Sequence, residues 1–132
     1  MTALDTNVIV RFLVRDDEKQ AQMAYARFKQ AEAAGERLFV PLVVVLETIW
    51  VLESAYDLTR DEVLSALEDL RRMSILECEA PQVLEDVLSD ANRRRADLSD
   101  LLIAHSAKAG GCDACLTFDK SAGRLPFFRL LR

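Results

Sequence analysis

The chain has 132 residues, 51% hydrophobic and 30% charged, with a formal net charge of −5. That length suits one core, and the composition is globular rather than disordered or fibrous. An acidic total argues against a surface that grips nucleic acid throughout, since phosphate affinity comes from Lys and Arg, although arginines gather at Arg71-Arg72, Arg93-Arg94-Arg95 and Arg124.

In chain order, "MTAL" reads as a short strand, followed by "DTN". "VIVRFLV" is too short for periodicity to decide between strand and helix. From Asp16 to Ala34 the spacing of Ala21, Ala24, Tyr25 and Phe28 predicts a helix, and Gly35 supplies its stop. "RLFV" reads as a second strand closed by Pro41. A helix is expected just after that proline, because Leu42, Leu46, Ile49, Trp50 and Glu53 fall at helical spacing. "TRDE" at Thr59–Glu62 is a capping box opening a helix with Val63, Ala66, Leu67 and Leu70 inward. "SILECE" is a third strand. "PQVLEDVLSDANR" is a helix with Pro81 in its first turn, where a missing N–H is harmless. "LSDLLIAHSAKA" is another helix, ended by Gly110-Gly111, "DACLTFD" is a fourth strand, and "FFRLLR" supplies a fifth.

Strands alternating with helices predict an α/β fold with a parallel sheet flanked by helices. No repeat or Pro/Gly-rich linker interrupts the pattern, so residues 1–132 are expected to form a single domain. Three cysteines, Cys78, Cys112 and Cys115, suit a reducing compartment better than a disulfide framework. "CDAC" lacks the further Cys or His residues of a zinc site. Asp5 interrupts any signal-like start, and no run approaches the roughly twenty apolar residues of a membrane span. A soluble cytoplasmic protein is the expectation.

In such folds functional groups gather beyond the carboxyl ends of the strands, and acids recur at those places. Asp5 ends the first strand, and Glu47 lies one turn into the helix after the second. Asp97 and Asp100 open the helix leading to the fourth strand, which Asp119 ends. Each alone has an ordinary explanation: a helix cap, a charge favoured by the helix dipole, or a turn residue. Glu47 fits these least, because its neighbours are nearly all apolar and an unpaired carboxylate among them would be costly. Together, several acids in one place need their repulsion cancelled. A hard divalent cation, Mg2+ or Mn2+, does so with carboxylate oxygens and water.

"LDTNVIV", "VVVLETIWVLE" and "DLSDLLIAHSAKAGGCDACLTFDK", in this order and spacing, resemble a PIN domain. More narrowly they resemble a VapC-type toxin of a bacterial or archaeal toxin–antitoxin pair. The resemblance covers essentially the whole chain. It implies a PIN-like three-layer fold, a short central parallel sheet of four to five strands flanked by helices. It implies a Mg2+- or Mn2+-dependent endoribonuclease that hydrolyses RNA through a metal-activated water. The family's catalytic, metal-holding acids fall on Asp5, Glu47, Asp100 and Asp119. Asp97 matches a further aspartate of the toxin branch and is read as auxiliary, while Asn7 and Thr117 occupy supporting positions. The resemblance also implies an RNA substrate, a VapB-like antitoxin and a homodimer.

Arg93, Arg94, Arg95 and Arg124 are candidates for gripping flanking phosphates, as positioning contacts rather than readers of sequence. His105, the single histidine, is read as a packing or supporting residue rather than a general base. Two other readings stay open: a catalytically silent RNA-binding or interaction module of the same fold, and an aspartyl-phosphate phosphatase. Asn7 weakens the latter, because it stands where a second aspartate would be wanted.

Overall fold

In the computed structural model, which describes residues 1–132, the chain divides into two units, Met1–Pro81 and Gln82–Arg132. The first carries β1 (Thr2–Ala3), α1 (Thr6–Val14), α2 (Glu18–Ala34), β2 (Leu38–Val40), α3 (Leu42–Ser54), α4 (Arg60–Arg72) and β3 (Leu76–Cys78). Its strands are parallel in the order β1-β2-β3. Thr2 pairs with Leu38, and Leu38 with Leu76. The helices between successive strands supply the crossovers that parallel pairing requires.

"VIVRFLV" is helical, and Asp5 is the reason. Its backbone is extended and its carboxylate accepts the Thr6 N–H at 2.7 Å, an N-cap that ends the strand and starts α1. Ile9 and Val10 are buried, and Phe12 meets Phe28 of α2 with ring centroids 4.9 Å apart. Gly35, left-handed at φ 67°, closes α2, and the Glu36 N–H reaches back to the Ala31 carbonyl at 2.8 Å. Pro41 ends β2 and precedes α3, whose Leu42 N–H is taken by Glu79 Oε1 at 2.8 Å. Beyond α3, Tyr56 donates to Asp16 at 2.8 Å and accepts from Arg11 at 2.7 Å. The capping box of α4 is formed, with Val63, Leu67 and Leu70 buried and Ala66 half-buried.

The second unit holds α5 (Pro81–Ala91, its first residue the last of the preceding unit), α6 (Leu98–Ala109), β4 (Cys115–Thr117), a 3-10 turn at Ala122–Arg124 and β5 (Phe128–Leu130). β4 and β5 are parallel, with Cys115 opposite Phe128 and Thr117 opposite Leu130. Buried Ala104, Ala122 and Phe128 form a small core, against which Cys115, Leu125 and Phe127 pack. Gly123 lets the 3-10 turn lie close to β5, since a Cβ there would stand 3.3 Å from the Leu130 Cβ.

All five expected strands form and pair in parallel, but the ladders are two, of three and two strands, rather than one of four to five. The early Asp5 cap leaves β1 only two residues long. No helix is long and apolar enough to cross a membrane.

Candidate active site

In the first unit Thr6 is the joint. Buried at the start of α1, it gives its N–H to Asp5 Oδ1 and its hydroxyl proton to Glu47 Oε1 at 2.6 Å. Asp5, just past β1, and Glu47, in α3 after β2, are therefore tied through one residue, each by one oxygen. A short hydroxyl–carboxylate bond of this kind is charge-assisted and directional. It fixes where Glu47 points.

Glu47 is exposed, which corrects the expectation that its neighbours would enclose it. The apolar run divides by helical phase. Val44, Val45, Thr48, Ile49 and Leu52 are buried, leaving Val43, Glu47 and Trp50 on the open stripe. Asn7 is exposed as well, and lines a cavity of about 380 Å3 with Val8, Met23 and Ala24. The Thr6 side chain, rather than that of Asn7, makes the contact with Glu47.

In the second unit Asp97 is the N-cap of α6, its Oδ1 accepting the N–H groups of Ser99 at 2.8 Å and Asp100 at 3.2 Å. Asp100 is half-buried in the first turn. Burial pushes its carboxyl above the usual carboxylate range, and the negative charges of Asp97 and Asp119 push it further. Asp119 follows β4 and is exposed. Its N–H donates to Thr117 Oγ1 at 3.0 Å, and its Oδ1 accepts from the Ser121 N–H at 2.8 Å. Thr117 thus steadies the Asp119 backbone rather than its carboxylate. Within each unit no three His, Cys, Asp or Glu side chains stand at ligand spacing.

Sequence reasoning missed Asp90. This α5 aspartate is only 7% exposed and pairs with His105 Nε2 at 3.0 Å and Arg94 Nε at 2.6 Å. Burial alone would raise its carboxyl, but the hydrogen bonds from His105 and then Arg94 outweigh it, and the group lies below the usual range. Arg94 is therefore drawn back onto Asp90, with Arg93 at 3.8 Å from the same oxygen. Arg95 and Arg124 are exposed. A signal did exist: Asp90 and Arg94 stand four apart, and a lone histidine following the apolar run of residues 101–104 wants a polar partner.

A family model described as PIN domain matches residues 2–127. The chain is also similar to the VapC ribonuclease of Aquifex aeolicus (strain VF5), at 26% identity over 127 residues, covering 96% of this chain and 93% of that protein.

Proposed function

We propose that this chain, which belongs to the PIN domain family, is a metal-dependent endoribonuclease that hydrolyses RNA phosphodiester bonds with water, and that it is a VapC-type toxin. One observation carries the reading: Asp100 is half-buried beside Asp97 and Asp119, and burial first, then their negative charges, hold its carboxyl above the ordinary range. An excess of negative charge in partly dry surroundings, with oxygen donors only, suits a hard divalent cation. The likeness to a protein named VapC ribonuclease supplies the substrate class, RNA.

In this proposal Asp5, Glu47, Asp100 and Asp119 hold Mg2+ or Mn2+. The cation, when bound, neutralises charge at the scissile phosphate and makes water more acidic. The chain's residues do the rest. Thr6 aims Glu47, and Asp97 sets the first turn of α6 and so places Asp100. One carboxylate of the set accepts the proton of the attacking water. Arg95 and Arg124 grip neighbouring phosphates, as does Arg93 in part, while Arg94 is committed to Asp90. A VapB-like antitoxin, a homodimer and a cytoplasmic location belong to the same proposal.

Attack by water leaves no role for the 2′-hydroxyl as nucleophile. Products made by purified protein in Mg2+ are therefore expected to carry no 2′,3′-cyclic phosphate, as judged by mass spectrometry of the fragment ends. Cyclic phosphate ends that need this protein would show that the 2′-hydroxyl attacks, and the mechanism would fall.

A further inference from the structure

The open stripe of α3 joins a candidate catalytic carboxylate to the largest exposed side chain in the protein. Trp50, the sole tryptophan, is 64% exposed, and Val43 is 63% exposed. Counting along the helix, Val43 stands one turn before Glu47 and Trp50 one turn after it, so all three share a face. The rotation of that face is fixed, because Thr48, Ile49 and Leu52 are fully buried on the opposite side. Glu47 itself is tied by Thr6. A scattered apolar side chain on a surface needs no explanation. A tryptophan held one turn from an anchored acid is a different case.

We propose that Trp50 is a stacking platform for an unpaired nucleobase of the RNA strand, with Val43 packing against the chain on the other side of Glu47. The inference rests on the ribonuclease reading and deepens it, by making the substrate single-stranded at the cleavage position. Three observations favour a base over another occupant. An indole presents a flat π-face, and every nucleobase stacks on one without regard to sequence. A two-fold contact with a second copy whose axis passed at Glu47 would set Glu47 against Glu47, burying like charges. A partner's apolar anchor wants a pocket, and two cavities of this unit, near Asn7 and near Phe12, are lined without any residue of α3. The second unit shows the same pairing independently: Phe118, 80% exposed, directly precedes Asp119.

The sole tryptophan makes the test direct. The full chain carrying Asp100→Asn, to stop turnover, is titrated in Mg2+ with a single-stranded oligoribonucleotide while tryptophan emission is followed. Saturable quenching is expected, with little from a blunt RNA duplex of equal length. Trp50→Leu should weaken binding by about tenfold, read by anisotropy of a labelled oligonucleotide, and Trp50→Phe should keep most of the affinity. Equal affinity of Trp50→Leu and the parent, or emission indifferent to RNA, would overturn the inference. So would a blue shift with doubled mass in the absence of RNA, which would assign the stripe to a contact between copies. Quenching by a protein partner but not by RNA would assign it to that partner. Cleavage by the unmodified chain without quenching defeats the stacking alone. Quenching without any cleavage supports the stacking and defeats the ribonuclease.

Discussion

Thr6 is the residue whose removal should separate site from scaffold most cleanly. Thr6→Val keeps the volume and the N–H that Asp5 accepts, and deletes only the hydroxyl donated to Glu47. The stability loss should be about 1 kcal/mol, the usual worth of such a bond, while cleavage falls by roughly tenfold because Glu47 is no longer aimed. Circular dichroism melting and initial rates would read the two effects. Asp100 should behave oppositely. Its native carboxyl binds a proton more readily than the unfolded one, so stability is lost as pH rises through and above the carboxylate range. Asp100→Asn is accordingly expected to raise the melting temperature of metal-free protein at neutral pH, while abolishing cleavage. Asp90 carries the other sign. Its native carboxyl is the stronger acid, so its contribution is complete above the ordinary value of about 3.9 and is lost as pH falls through its lower native value. Asp90→Asn should flatten the acid limb of the stability–pH curve measured by urea titration. The strand-end and helix-start acids were legible because their type and spacing are local facts. The Thr6–Glu47 bond was not, because the direction of a hydroxyl depends on how α1 lies against α3, over a separation of 41 residues.

Helix boundaries were readable wherever a side chain writes them into the sequence. Thr59 and Glu62 form their capping box as expected, and Thr59→Ala should cost about 1 kcal/mol in thermal unfolding. Gly35 stops α2 through a left-handed conformation that other residues adopt with difficulty. Over "VIVRFLV" the apolar run fitted either period, and the Asp5 cap decided for a helix. In α3 the helical spacing of Leu42, Leu46, Ile49, Trp50 and Glu53 was legible, but the buried side is that of Val44, Val45, Thr48, Ile49 and Leu52, which leaves Glu47 and Trp50 outside. Pairing of strands was legible only in its parallel sense. Strands of two and three residues contain too little pattern to state which neighbour each one joins.

The family match spans residues 2–127 and so runs through both units. We therefore expect residues 1–132 to unfold as one domain, giving a single calorimetric transition whose van't Hoff and calorimetric enthalpies agree. Two resolved transitions would make the units independent domains. The acidic total of −5 also reads differently at this scale. Under the proposed reading, negative charge that a bound cation offsets does not oppose RNA at the exposed arginines, provided the cation is present.

That proviso is the central claim, and RNA cleavage with Mg2+, with Mn2+ and with EDTA tests it most directly, alongside Asp5→Asn, Glu47→Gln, Asp100→Asn and Asp119→Asn. The account predicts cleavage with either metal, none in EDTA, restoration on adding metal back, and losses of at least a hundredfold in each folded variant. Cleavage that survives EDTA, or that all four variants retain, would contradict it.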